Sequence, residues 1–117
     1  CQVQQFSERR VGDTDSTVVV TATGAVDMLT APHLQDVIDT AAAKKPAGLI
    51  VDMTEVEFLA SAGMQVLMVT HNRLGESTRF AVVADGPATS RPLKITGIAD
   101  YIELFSSLDV ALTNFSE

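Results

Sequence analysis

The stretch Asp52-Met-Thr-Glu-Val-Glu-Phe-Leu-Ala-Ser-Ala-Gly-Met64 decides the fold of this chain. It directly follows an uninterrupted apolar run at 49–51, which predicts a central strand that is buried on both faces. It leads into apolar residues at helical spacing, which predict a helix from Ser61 to Leu74. We predict a polar link at 54–57 between the strand and the helix. A serine at a helix start either caps the helix or carries a group in the positive field of the helix dipole.

Two strands are predicted upstream of this stretch. Residues 16–23 are rich in β-branched side chains, which favour a pleated strand. Weak alternation at 3–6 predicts an edge strand that pairs antiparallel with it, and a polar turn at 9–15 joins the two. Residues 24–30 are predicted to form the connection from the second strand to the first helix.

The first helix is predicted from its cap and from its apolar stripe. Thr30 supplies a hydroxyl cap, and Pro32 follows in the first turn, where proline is tolerated. The helix ends before Pro46. Its apolar residues recur with one helical period and form one face, as Leu34, Val37, Ile38 and Ala41.

The remaining chain alternates between strand and helix. We predict a strand at 79–84, a short helix at 88–96 closed by Gly97, a strand at 102–105 and a helix at 108–115 capped by Ser107. Such alternation is typical of an α/β fold with parallel crossovers. The prediction is one domain, 1–117, with a mixed, mostly parallel sheet of four or five strands and about four helices.

The composition excludes several classes of partner. The formal charge is −7, from 15 acidic and 8 basic residues, so the surface repels nucleic acid and anionic membranes. No apolar run approaches the roughly 20 residues that a membrane helix needs. The one cysteine, Cys1, leaves no internal disulfide to form, and a cytoplasmic location is expected.

Catalytic and cofactor signatures are missing from the sequence. His33 and His71 have no Cys or carboxylate at metal-ligand spacing, and no glycine-rich nucleotide motif occurs. Ser61 lacks the G-x-S-x-G frame of a hydrolase nucleophile. We therefore predict no enzyme, no cofactor and no metal. A small enzyme with Ser61 as nucleophile stays open as an alternative that a covalent serine probe would detect.

The neighbours of Ser61 favour a second role besides capping. Ala60, Ala62 and Gly63 leave the hydroxyl unscreened and keep the backbone amides of the first helical turn approachable. A phosphate on Ser61 would add about −1.5 to −2 charges at the positive end of the helix. The fold would tolerate this change, whereas a protein in contact with the serine would be expelled.

The motif Asp52-Met-Thr-x-Val-x-Phe-Leu-x-Ser-x-Gly-Met64 resembles the signature of STAS domains, the family of sulphate transporter and anti-sigma factor antagonist domains. Gly24-Ala-Val-Asp27 resembles the G-E-x-D turn of the same family. The resemblance covers essentially the whole chain and implies the STAS fold. Stand-alone domains of this size are similar to bacterial anti-sigma factor antagonists, which act in transcription regulation and stress response.

The resemblance implies a phosphorylation cycle. The unphosphorylated antagonist binds an anti-sigma factor with serine-kinase activity and so releases the sigma factor. Phosphorylation, here at Ser61, ejects the antagonist, and a serine phosphatase resets it. The positions that match the partner-binding face are Asp27, Met28, Thr30, Ala60, Ala62, Gly63, Met64 and Gln65.

Three positions depart from the family pattern. The aspartate before the serine is Ala60, the hydroxyl after it is Ala62, and the glutamate of the upstream turn is Ala25. Loss of the carboxylate would alter how a kinase handles Ser61, and loss of the second hydroxyl leaves Ser61 as the only acceptor in the motif. The alternative is a STAS module of a transport or sensor complex that phosphorylation does not regulate.

Overall fold

The structure is a computed structural model. It describes residues 6–11, 17–43, 48–74, 78–86 and 89–115, with the backbone alone for 6–11, Ala99 and Phe115. These residues form strands and helices in the order β1 (Phe6–Val11), β2 (Thr17–Val26), α1 (Ala31–Ala43), β3 (Gly48–Leu59), α2 (Ser61–Leu74), β4 (Arg79–Val83), α3 (Ser90–Ile95), β5 (Glu103–Phe105) and α4 (Leu108–Phe115). A single 3₁₀ turn, Ile98–Asp100, follows α3.

The five strands form one sheet in the order β1-β2-β3-β4-β5. β1 pairs antiparallel with β2, and the other three pairings are parallel. The predicted fold class is therefore confirmed, and so is the antiparallel pair at the edge. Because the strand order never reverses, the sheet has no switch-point crevice of the kind that holds ligands in doubly wound folds.

Alternate residues of the strands pack on opposite faces of the sheet, as the two-residue period of a strand requires. One face is covered by α1, α2 and α3 and carries the larger cluster of buried side chains. The other face packs Val19, Ile50 and Val83 against Ala111 of α4. The sheet residues of the larger cluster include Val18, Val20, Leu49, Val51, Phe80 and Val82.

The predicted polar link at 54–57 is wrong, because β3 continues through it to Leu59. β4 stops at Val83, opposite Asp52, whereas β2 and β3 stay paired as far as Val26 and Leu59. The register between β2 and β3 shifts twice, so residues that face the core no longer alternate strictly with residues that face solvent. The polar residues of this segment lie on the solvent side of a two-stranded extension of the sheet.

The upstream boundaries also differ from the prediction. Residues 24–26 belong to β2 and not to a connection, and residues 9–11 belong to β1 and not to a turn. The edge strand covers 6–11, and residues 3–5 and 12–15 lie outside the described part. An edge strand pairs on one side only, so it can carry polar residues. Because β1 is mostly polar, apolar alternation does not predict its bounds.

The helices agree closely with the prediction. α2 and α4 have the predicted bounds, and the Ser107 hydroxyl accepts a hydrogen bond from the Val110 amide at 3.2 Å, as a cap should. α3 is shorter than predicted, and Gly97 follows it with a φ of 84°. The strands predicted at 79–84 and 102–105 are confirmed to within one residue.

One ion pair joins β4, β5 and α4. Arg79 donates to both carboxylate oxygens of Glu103, at 2.8 and 2.7 Å, and to the Asn114 carbonyl at 3.0 Å. The hydrogen bonds from Arg79 lower the pKa of Glu103. The side chains are 41% and 44% exposed, so solvent screens the pair and its contribution stays below about 1 kcal/mol.

We predict that Glu103→Gln lowers the free energy of unfolding by less than about 1 kcal/mol at neutral pH. Because the folded-state pKa of Glu103 is depressed, the stabilisation is complete above its unfolded-state pKa and is lost as the pH falls through its folded-state pKa. Urea denaturation at pH 7 and at pH 3 measures this. A difference between the two proteins that is as large at pH 3 as at pH 7 would contradict it.

Candidate functional site

Four parallel strands end at one edge of the sheet, which we call the C-terminal edge. β2 ends beside Asp27, β3 ends beside Ser61, β4 ends beside Asp85, and β5 ends beside Ser106. The helices that follow β2, β3 and β4 pack on one face of the sheet, whereas α4 follows β5 and packs on the other. The residues that the sequence analysis selected therefore lie at one end of the fold, around the start of α2.

Ala60, and not Ser61, is the N-cap of α2. Its carbonyl accepts the first helical hydrogen bonds, from Gly63 at 3.0 Å and from Met64 at 3.1 Å. Its amide donates to the Val26 carbonyl at 2.8 Å and ties the helix start to the end of β2. The reading of Ser61 as a plain cap is thus wrong, because Ser61 is already the first helical residue.

The Ser61 hydroxyl points into solvent. The side chain is exposed, and within the described part of the chain its hydroxyl makes no hydrogen bond. The Ser61 and Ala62 amides, at the positive end of the helix dipole, have no acceptor among those residues either. An alanine cap has no side-chain oxygen to offer them, so the first turn of α2 presents free donors next to a free hydroxyl.

Asp27 closes the turn that leads into the first helix. Its carbonyl accepts a hydrogen bond from Ala31 at 2.7 Å, and its carboxylate accepts one from the Thr30 amide at 3.2 Å. The Thr30 hydroxyl in turn accepts a hydrogen bond from the Asp27 amide at 2.9 Å and donates to the Ala25 carbonyl at 3.0 Å. This reciprocal bonding has the form of a capping box and holds the turn at 27–30. The predicted helix start at Thr30 is confirmed, because α1 begins at Ala31 and the Leu34 amide donates to the Thr30 carbonyl at 3.0 Å. The Thr30 hydroxyl, however, bonds to the turn and not to the amides of α1.

Gly63 faces the core. A Cβ atom built on it would lie 2.6 Å from Val26 Cγ1 and 2.7 Å from Leu59 Cδ1, much closer than real contacts allow. Glycine lets α2 approach the ends of β2 and β3 closely enough for the Ala60 hydrogen bond to form. The predicted role of Gly63 in partner contact stays a prediction, but its buried position gives it a packing role.

The other selected residues of α2 lie on two sides of the helix. Ala62 and the exposed Gln65 line a groove of about 260 Å³ between α1 and α2, which Met28 also lines. Met64 is half-buried and packs toward α3, with its sulfur 3.8 Å from the Thr96 hydroxyl. The structure therefore brings Met28, Ala62 and Gln65 together on one surface and turns Met64 away from it.

Two exposed apolar residues are not among the predicted partner-binding positions. Leu29 follows Met28 in the turn before α1, and Phe58 lies near the end of β3 on its solvent side. Neither of these large side chains is buried in the core. The predicted link at 54–57 gives Phe58 no strand face. The pattern Asp27-x-x-Thr30 is a sequence signal for an ordered turn at Leu29.

Asp52, the first residue of the motif, has a structural task. Its carboxylate is buried and accepts hydrogen bonds from the Thr54 amide at 3.0 Å and the Thr54 hydroxyl at 2.8 Å. These bonds lie next to the first register shift between β2 and β3 and hold the strand through it. Asp52 therefore supports the strand extension that carries Ser61.

The described residues contain no group of three or more His, Cys, Asp or Glu side chains that could hold a metal ion. Within the same residues, no helix has the length and apolarity that crossing a bilayer requires.

The family model of the STAS domain matches residues 9–111. The chain is 38% identical over 103 residues to the anti-sigma-F factor antagonist RsfB of Mycobacterium tuberculosis, which covers 88% of this chain and 84% of that protein. The crystal structure of an anti-sigma factor antagonist from Mycobacterium paratuberculosis is 41% identical, with a TM-score of 0.85 over 95% of this chain and 96% of that one. The unphosphorylated form of the anti-sigma factor antagonist SpoIIAA shares the fold, with a TM-score of 0.73, 16% identity and coverage of 95% and 96%.

We predict that Gly63→Ala destabilises the fold by about 1–3 kcal/mol. In an ordinary helix this change would stabilise by about 0.5–1 kcal/mol, so the expected sign is reversed. The stiff, fully buried Val26 cannot rotate away from the new methyl group. Urea denaturation measures the effect, and the exposed Gln65→Ala on the same helix is the control. If Gly63→Ala is more stable than the wild type, the contact between α2 and the ends of β2 and β3 has room for a methyl group.

We predict that Asp27→Ala costs about 1 kcal/mol of stability through loss of the carboxylate hydrogen bonds that hold the turn before α1. Thr30→Val removes the reciprocal hydroxyl and keeps the side-chain shape. Because the two residues bond to each other, the double variant should lose less than the sum of the single losses. Denaturation followed by circular dichroism tests this, with the exposed Asp36→Ala of α1 as control. Strictly additive losses would contradict a capping box.

Proposed function

The chain belongs to the STAS domain family, and we propose that it acts there as an anti-sigma factor antagonist that phosphorylation of Ser61 switches off. Two relatives that bear the name of anti-sigma factor antagonist support the first half of this proposal. They are 38% and 41% identical and align with 88% and 95% of this chain.

The state of Ser61 supports the second half and is the observation that carries it. The hydroxyl is exposed and unbonded, and the free amides of Ser61 and Ala62 lie beside it at the positive end of α2. A phosphate on this hydroxyl would add about −1.5 to −2 charges where the helix dipole stabilises them. The modification would change the surface charge and leave the packing beneath it as it is.

In its unphosphorylated state, the protein binds an anti-sigma factor with serine-kinase activity and so releases a sigma factor. The kinase then modifies Ser61 and ejects the antagonist, and a serine phosphatase removes the phosphate. Since sigma factors act where transcription takes place, we place this cycle in the cytoplasm. The contact surface is the C-terminal edge, with Met28, Ala62 and Gln65 at its exposed centre.

Ser61 is the substrate of this chemistry and not its catalyst. A serine nucleophile needs a base within hydrogen-bond reach, and its hydroxyl has no such partner among the described residues. His71 lies ten residues further along the same helix, about 15 Å away at 1.5 Å per residue. The protein is therefore a regulator that works by binding.

We predict that the kinase adds one phosphate to the wild-type chain and none to Ser61→Ala. The matched control is Ser106→Ala, because Ser106 is also exposed but lies between β5 and α4. Intact-mass measurement after incubation with the purified kinase and ATP counts the phosphates. If the mass of the wild-type chain stays unchanged while the same kinase modifies another antagonist, the proposed phosphorylation of Ser61 is contradicted.

The kinase is to be identified with paired baits, Ser61→Ala and Ser61→Asp, in the source cell. Ser61→Ala should recover an anti-sigma factor, and Ser61→Asp should bind it at least tenfold more weakly, which corresponds to about 1.4 kcal/mol. Thermal unfolding should show Ser61→Asp as stable as the wild type, because a helix N-terminus accepts an acidic side chain. Recovery of a transport ATPase by both baits would favour the transport module instead.

A further inference from the structure

Three large apolar side chains at the C-terminal edge are left uncovered by the fold. Leu29 is 84% exposed, Met28 is 76% exposed and Phe58 is 56% exposed. The pairing of Ala25 with Phe58 places Phe58 next to the strand end from which the Met28–Leu29 turn departs. Ser61 follows three residues after Phe58, and Met28 lines a groove with Ala62 of α2, so these side chains lie at the same end of the fold as the start of α2. Exposed apolar groups gathered at one end of a fold mark interaction surfaces.

The turn that carries two of these side chains is held in place. The Leu29 amide donates to the Asp27 carboxylate at 2.9 Å, and Thr30 closes the capping box behind it. The exposure of Met28 and Leu29 is therefore a property of an ordered turn and not of a loose loop. A fixed turn loses little conformational entropy when a partner covers it, which favours tight binding by a few side chains.

The charge of the chain segments that carry these side chains has one sign. Residues 17–43 and 48–72 contain no Lys or Arg, and their six charged residues are all acidic. Two of them, Glu55 and Glu57, are exposed on β3 beside Phe58. A partner that covers this surface gains from Lys or Arg side chains opposite the two glutamates.

We infer that Met28, Leu29 and Phe58 are the apolar anchors of the interface with the anti-sigma factor. The partner covers them with an apolar pocket, and Lys or Arg side chains on the rim of that pocket face Glu55 and Glu57. This inference rests on the proposed function, and it specifies the chemistry of the partner. Leu29 and Phe58 determine binding although neither is among the positions that the resemblance assigns to the partner-binding face.

The inference also explains how phosphorylation ejects a basic partner. A phosphate on Ser61 would lie among the apolar anchors, where binding must strip it of water. The basic rim faces the glutamates of β3 and does not neutralise it. Release is thus driven by desolvation of the phosphate under an apolar pocket, a known way in which phosphorylation disrupts an interface.

The test uses the full chain in its unphosphorylated form and the anti-sigma factor that Ser61→Ala recovers. We expect Leu29→Ala and Phe58→Ala each to raise the Kd by tenfold or more in surface plasmon resonance, mainly through faster dissociation. Tyr101→Ala is the matched control, because Tyr101 is 67% exposed but precedes β5 at the opposite edge of the sheet. Its Kd should stay within twofold of the wild type.

A second arm tests the charge of the partner. The double variant Glu55→Gln/Glu57→Gln should associate several-fold more slowly, and its association rate should depend less on salt. Asp109→Asn on α4, an exposed acid on the other face of the sheet, is the control. An association rate that rises when the glutamates are neutralised would show that the partner has no Lys or Arg side chains opposite Glu55 and Glu57.

The two proposals fail differently. If Ser61→Ala recovers the anti-sigma factor but Leu29→Ala and Phe58→Ala bind it as tightly as the wild type, the anchors are overturned and the proposed function stands. If Leu29→Ala abolishes a homodimer and leaves that binding unchanged, the surface belongs to a second copy of the chain and the inference is likewise overturned. If no anti-sigma factor is recovered at all, the proposed function itself fails.

Discussion

The site depends on how closely α2 approaches the ends of β2 and β3. One hydrogen bond of 2.8 Å, from the Ala60 amide to the Val26 carbonyl, joins the helix start to the neighbouring strand. It can form only because Gly63 has no Cβ atom to collide with Val26 and Leu59. Three features surround this contact. They are the extension of β2 and β3, the first register shift beside Asp52, and the hydrogen-bonded turn at Asp27. Ser61 is therefore displayed by a rigid corner of the fold.

A rigid corner favours regulation by charge over regulation by shape. The hydroxyl of Ser61 has no bond to break within the described structure, and the packing below it belongs to Gly63 and its two apolar neighbours. A phosphate can thus be added or removed without moving the core. What would change is the free energy of binding a partner over this surface. Binding would remove water from the phosphate dianion next to apolar side chains, and this desolvation is costly.

The layers of the fold could be read from the sequence because periodicity reports burial directly. The apolar stripe of α1 and the bounds of α2 and α4 followed from helical spacing and turn residues. The extension of β3 could not be read, since two register shifts interrupt its alternation and β4 covers only one half of it. At the site, the sequence pattern placed Ser61 at the start of α2, where the structure has it. It could not show that Ala60 takes the cap, that Asp27 and Thr30 bond reciprocally, or that Gly63 points inward, because these depend on contacts between segments distant in sequence.

Ala60 determines the energetics of the proposed switch. An aspartate at the cap position would accept hydrogen bonds from the first amides of α2 and would place a negative charge beside Ser61. Alanine leaves those amides free, so a phosphate on Ser61 would meet unused donors and no carboxylate on the preceding residue. Phosphorylation would then supply the charge that the cap lacks and stabilise α2 while it blocks the proposed partner. This departure from the family motif would thus make the modified state more favourable, and the proposed cycle would need a phosphatase to reverse it.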